Sequence, residues 1–129
     1  MIVVDSTVWI DFFRGSATRE TTVLRSLMGL GVVLVGDLVL AEVLQGFPDE
    51  RQAEAGRRTL ERFTVEPMVG HGLAVASALN YRRLRMAGVT VRRTIDLLIG
   101  TFCIERGHAL LHHDRDYDPM ADRLGLQVV

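Results

Sequence analysis

The chain contains no lysine. Its 15 basic residues are all arginine, and they face 16 acids in a sequence of 129 residues with a formal net charge of −1. That balance excludes a generally basic nucleic-acid-binding protein, while a local arginine-lined groove stays compatible with it. Cysteine occurs once, at Cys103, so there is no internal disulfide framework and a reducing compartment is favoured. Long apolar runs are missing too. The longest uncharged apolar stretch, Leu27 to Gly36, falls far short of the ~20 residues a membrane span requires. Met1-Ile2-Val3-Val4-Asp5 has neither a basic leader nor a long apolar core, so no signal peptide is expected. No repeat, linker or low-complexity block divides the chain. The expectation is one soluble, cytoplasmic domain over residues 1–129, long enough to bury a real core.

What is present is a series of short apolar strands alternating with helices. Ile2–Val4 reads as a buried strand, and Ser6–Phe13 as a helix that Ser6 or Thr7 can cap and Gly15 closes. Thr18–Met28 is helical in pattern and Val32–Val35 is a β-branched strand. Asp37 is placed as the N-cap of a helix running to Gln45, and Pro48-Asp49-Glu50 opens a charged helix to about Phe63. Thr64-Val65 reads as a short strand, Gly72–Ala87 and Thr94–Arg106 as helices, and His108–His112 as a strand. Asp118, ahead of Pro119, is placed as the cap of a last short helix before a strand at Gln127–Val129. Such alternation indicates an α/β fold with a parallel sheet covered on both faces. In such sheets ligands bind beyond the carboxyl ends of the strands.

Four acids interrupt the apolar pattern. Asp5 directly follows Ile2-Val3-Val4, Glu42 is the only charge between Leu38 and Leu44, Asp96 breaks Thr94–Ile99, and Asp114 closes Ala109–His113. A lone desolvated carboxylate is costly, so acids in such places are paired or hold a cation. With no lysine to pair them, a metal ion is the expected source of positive charge. Asp5 and Asp114 sit at strand ends. Asp96 shares an inward helix face with Ile99, Gly100 and Cys103 and lies in the first turn, where the macrodipole favours negative charge; Glu42 shares a face with Leu38 and Val39. Carboxylate oxygens and water on a substrate phosphate are the usual setting of Mg²⁺, and phosphodiester hydrolysis uses such an ion to activate water and neutralise phosphate charge. Asp116, two residues after Asp114, is a candidate accessory ligand. Asp11 and Asp122 read as surface helix residues.

The motifs Val4-Asp5-Ser6-Thr7-Val8-Trp9-Ile10, Leu40-Ala41-Glu42-Val43-Leu44-Gln45-Gly46, Thr94-Ile95-Asp96-Leu97-Leu98-Ile99 and Leu111-His112-His113-Asp114-Arg115-Asp116-Tyr117, in this order and spacing, resemble a PIN domain of the VapC type. The resemblance spans essentially the whole chain. It implies an α/β/α sandwich around a short, mostly parallel sheet, and a Mg²⁺-dependent endoribonuclease in which Mn²⁺ can substitute. It maps an acidic quartet onto Asp5, Glu42, Asp96 and Asp114, with Asp116 as a further acid and Thr7 as the small hydroxyl residue near the site. The mechanism expected is that Asp5, Asp96 and Asp114 hold the principal ion, directly or through water, and Glu42 positions a second ion or the attacking water; the resemblance implies cleavage that leaves a 5′-phosphate and a 3′-hydroxyl. It also implies a toxin that dimerises, is neutralised by a cognate VapB-type antitoxin, and joins it in a higher assembly.

Other residues are weighed beside this reading. Trp9, Phe12 and Phe13 share one helix face and are expected in the core, with a partner surface as the alternative. Arg82, Arg83, Arg85, Arg92 and Arg93 cluster around a helix end, and Arg92 and Arg93, close before Asp96, are the candidate RNA contacts. His112 and His113 alternate across a strand, so only one can face the groove, and structural roles are expected for both. Cys103 is expected in the core. A phosphoaspartate phosphatase would carry an acid where Thr7 stands, and a phospho-receiver would need a lysine. From a different class, a catalytically silent PIN-like binding or scaffold module would act through a protein partner, but such a scaffold has no use for four desolvated acids.

Overall fold

A computed structural model describes residues 1–129. Five short strands form the centre: β1 (Ile2–Val4), β2 (Val33–Gly36), β3 (Thr64–Glu66), β4 (Ala109–Leu111) and β5 (Gln127–Val128). Their spatial order is β3-β2-β1-β4-β5, and all four pairings are parallel. The helices are α1 (Ser6–Phe13), α2 (Arg19–Leu27), α3 (Asp37–Gln45), α4 (Glu50–Leu60), α5 (His71–Met86), α6 (Thr94–Arg106) and α7 (Asp118–Leu124), with a 3₁₀ turn at Arg115–Tyr117. From β1 the chain winds outward through β2 to β3, then returns to β4 on the other side of β1. Right-handed crossovers therefore place α1–α4 on one face and α5–α7 on the other, which is the expected α/β/α sandwich. The direction of winding reverses between β1 and β4.

The strands are apolar on both sides because both faces are covered. Val3, Val4, Leu34, Val35, Leu110 and Leu111 are fully buried, and Trp9, Leu24, Phe102 and Cys103 pack over them from the helices. Phe12 and Phe13 are half-buried against the same core. Burial pushes the Cys103 thiol up to about 12, so it stays a neutral core group.

The ends of the elements correct several details of the sequence reading. Asp5, not Ser6 or Thr7, caps α1, because its carboxylate accepts the Thr7 N–H. Asp37 is the first residue of α3, and Gly36 is the cap; the Asp37 side chain instead accepts the Met68 N–H at 3.0 Å, tying α3 to the segment after β3. The charged helix ends at Leu60 rather than Phe63. Asp118 likewise opens α7 without capping it, because the 3₁₀ turn before it already supplies the entry and Tyr117 takes the cap position. Gly107, at φ 71°, closes α6 in the left-handed conformation that glycine tolerates.

Leu34 lies in β2 between β1 and β3 and has no solvent exposure. Leu34→Ala is expected to lower unfolding stability by roughly 2–5 kcal/mol through the cavity it leaves. Urea denaturation of both proteins measures this loss.

Candidate active site

The reversal point between β1 and β4 decides where the acids meet. Val4 pairs with Leu111, so the chain leaves two neighbouring strands at the same edge, at Asp5 and at His112–Asp114. Asp5 is 2 % exposed. Its Oδ2 accepts the Thr7 backbone N–H at 3.2 Å and the Thr7 hydroxyl at 2.7 Å, and its Oδ1 accepts the Tyr117 hydroxyl at 2.8 Å. Thr7 Oγ1 in turn accepts the His113 N–H at 3.1 Å, which fastens the end of β1 to the segment after β4. Asp114 caps the 3₁₀ turn: its Oδ1 accepts the Asp116 N–H at 2.9 Å, and its own N–H donates to His112 Nδ1 at 3.1 Å.

The other two acids come from helices in opposite layers. Glu42 lies on α3 and Asp96 in the first turn of α6, and these helices approach each other at this edge. Arg93, the residue before α6, joins them. Its Nη2 donates to Glu42 Oε2 at 2.6 Å, and its Nε lies 3.7 Å from Asp96 Oδ2, too far for a hydrogen bond. Glu42 Oε1 and Asp96 Oδ2 are buried oxygens with no hydrogen-bond partner. One oxygen each from Asp96, Asp114 and Asp116 lies within 4.8 Å of the others. Asp116, an accessory candidate by sequence, thus stands in the tightest group of the site. Asp5 lies outside that group, with both oxygens held by Thr7 and Tyr117.

Electrostatics follow from this crowding. Burial pushes the Asp96 carboxyl up to about 6; Arg93 opposes the shift, while Asp5, Asp114 and Glu42 add to it. The facing Asp96 carboxylate, helped by Glu42, raises the Arg93 guanidinium above its ordinary value. Burial raises the Tyr117 phenol, with the Asp5 charge next, so it stays a neutral donor. Burial also lowers His112, the acceptor of the Asp114 N–H. His113 points elsewhere, at 3.3 Å from Asp11. A cleft of about 170 Å³ opens beside the acids, lined by Val91, Arg92, Arg93, Arg115, Asp96 and Asp116 among others. Arg82, Arg83 and Arg85 are exposed on α5 and do not line it.

These donors fit a hard divalent cation. They are all carboxylate oxygens, one from each of three acids converge, and two buried oxygens, on Glu42 and Asp96, have no donor to satisfy them. A model of the PIN domain family matches residues 2–123. The chain belongs to the PIN-domain family. Within it the chain is of the VapC type: VapC ribonuclease Mb1587 of Mycobacterium bovis and ribonuclease VapC11 of Mycobacterium tuberculosis are each 30% identical to it over 133 aligned positions, covering 98% of this chain and 96% of the relative. Among solved structures, VapBC2 from Rickettsia felis bound to a DNA fragment from their promoter shares the fold, with a TM-score of 0.79 at 16% identity over 100% of this chain and 98% of that one. No helix of the PIN domain is long and apolar enough to cross a membrane.

Tyr117 is the site residue that sequence reasoning passed over. It ends the segment Leu111–Tyr117, but only the fold shows its hydroxyl reaching Asp5 across 112 positions. Tyr117→Phe leaves a buried carboxylate oxygen without its donor and is expected to cost roughly 1.5–3 kcal/mol of stability by urea denaturation.

The Asp96 shift carries a pH dependence of definite sign. Its folded value, about 6, exceeds the ordinary 3.8, so the folded protein keeps a proton that the unfolded chain has released. The stability this contributes is present below the unfolded value and is lost as pH rises through the folded one. In chelator, the stability difference between wild type and Asp96→Asn is expected to move against wild type across this window, by up to about 3 kcal/mol. Denaturation series at stepped pH read it directly.

Proposed function

We propose that this PIN domain is a Mg²⁺-dependent endoribonuclease toxin, with Mn²⁺ as a possible substitute, neutralised by a cognate VapB-type antitoxin. The observation that carries the reading is the pair of unpartnered buried oxygens on Glu42 and Asp96 beside the Asp96–Asp114–Asp116 group. In this reading residues 1–129 act as one domain in the cytoplasm. The names of the mycobacterial relatives support ribonuclease action, and the Rickettsia felis VapBC2 structure, bound to a promoter fragment, supports an antitoxin partner and a higher assembly. A homodimer belongs to the same reading; Val75, Leu79 and Met86 offer exposed apolar surface on α5.

Asp96, Asp114 and Asp116 would hold the ion, with Asp5 and Glu42 completing the negative field around it. When bound, such an ion supplies a more acidic water and offsets charge on the phosphate oxygens. The chain's own part is orientation. Tyr117 and Thr7 keep Asp5 fixed, and the His112 ring takes the Asp114 N–H, which helps hold the backbone that carries this carboxylate. Arg92 and Arg115, exposed on the cleft wall, would take the flanking phosphates of an RNA strand, and Arg93 joins them once it is free of the acids. Glu42, brought in by α3 and with Oε1 unpartnered, would orient the attacking water.

Cleavage of structured RNA should require Mg²⁺ or Mn²⁺, stop in EDTA, and fall by about 100-fold or more in Asp96→Asn or Asp114→Asn. Circular dichroism confirms that each variant is folded. Full cleavage by Asp96→Asn would remove this acid from the proposed site. Loss of both cleavage and metal binding in the wild type would favour the silent scaffold.

A further inference from the structure

We propose that Arg93 is the built-in counter-ion of the acid site, occupying the place of positive charge until a divalent cation displaces it. The proposal rests on the metal-dependent reading above and adds a residue that sets how readily the ion enters.

Arg93 touches two carboxylates that come from opposite layers of the fold, through two different nitrogens. It is an exchangeable partner, because the burial is one-sided. The Arg93 side chain is 51% exposed, whereas those of Glu42 and Asp96 are each 10% exposed. The guanidinium can therefore swing into solvent without breaking a buried contact. Its position helps: it precedes α6, after a segment from Gly88 to Arg93 with little regular structure, and its side chain caps nothing.

It is also an incomplete partner. One unit charge faces Glu42 and Asp96, with Asp5, Asp114 and Asp116 close behind, and it leaves Glu42 Oε1 and Asp96 Oδ2 without a donor. A divalent ion brings twice the charge and accepts several oxygens at once. Arg93 and the ion therefore compete for the same carboxylates. In the metal-free protein Arg93 relieves the repulsion; in the loaded protein the neutralised carboxylates no longer hold it, and it turns outward along the cleft that it already lines with Arg92 and Arg115.

The test titrates Mn²⁺ into chelator-stripped full-length protein by calorimetry, comparing wild type, Arg93→Ala and Arg93→Lys. Arg93→Ala should bind Mn²⁺ about tenfold more tightly, the equilibrium weight of one charge-assisted contact, and should melt at a lower temperature than wild type before metal is added. Arg93→Lys should fall between them, because a point charge satisfies one carboxylate at a time. Equal or weaker Mn²⁺ binding by Arg93→Ala, with wild type binding normally, would overturn the competition and leave the metal reading intact. Absence of Mn²⁺ binding in wild type would sink both. A second readout needs no folded variant. The Arg93 Nε–H resonance of wild type, followed by nitrogen-edited NMR, should shift and exchange faster with water as Mg²⁺ is added; no change at saturation would overturn the proposal.

Discussion

Five carboxylates converge on one edge of a small parallel sheet, and much of the local structure answers the repulsion this creates. Four of them are relieved differently. Asp5 takes three hydrogen bonds, from the Thr7 backbone and hydroxyl and from the buried Tyr117 phenol. Asp114 takes the N–H that opens the 3₁₀ turn. Glu42 takes a guanidinium. Asp96 has the positive end of α6 and a proton affinity raised by burial, with Arg93 at a longer distance. Hydrogen-bond donors serve the two acids that follow the strands, and a side-chain cation serves the two on helices.

That division follows from topology. Strand order β3-β2-β1-β4-β5 puts the reversal of winding between β1 and β4, so the two strand ends there are neighbours with no crossover helix covering the gap. Asp5 directly follows the ladder and Asp114 caps the turn that leaves it, so short local bonds can hold them. Glu42 and Asp96 arrive from separate layers, α3 and α6, whose approach at this edge is the only framework they share. Nothing in the backbone links them; Arg93 does so by reaching across with its side chain.

The sequence made the frame legible because it uses two strong periodicities. Apolar triplets such as Ile2–Val4 and Ala109–Leu111 mark strands buried on both faces, and α1, α3 and α6 fall where pattern and stop signals agree. The four acids stood out because each breaks an apolar run, a signal that depends on no tertiary knowledge. Capping was harder to read. Asp5 and Asp37 lie at boundaries where a cap, a first-turn acid and a long-range acceptor look alike in sequence, and only the fold separates them. Long-range partners left no trace at all: the bond between Tyr117 and Asp5, and that between Arg93 and Glu42, join residues far apart in the chain. Arg93 was recognised as a basic residue near the site, but its orientation toward the acids rather than toward solvent is a product of the α3–α6 approach.

The absence of lysine gains a physical meaning at this point. A lysine at position 93 would offer one compact ammonium, able to sit against Glu42 or Asp96 but poorly able to span both. Arginine has a planar fork whose Nη2 and Nε already face the two carboxylates. It also keeps its charge throughout the pH range in which Asp96 titrates, so the bridge does not weaken through its own deprotonation. As pH rises through about 6 the Asp96 carboxylate gains full charge, and the demand for a cation at this edge rises with it. A single guanidinium meets that demand in part and leaves two buried oxygens unpaired. Those two oxygens are where the proposed divalent cation would complete the balance that Arg93 begins.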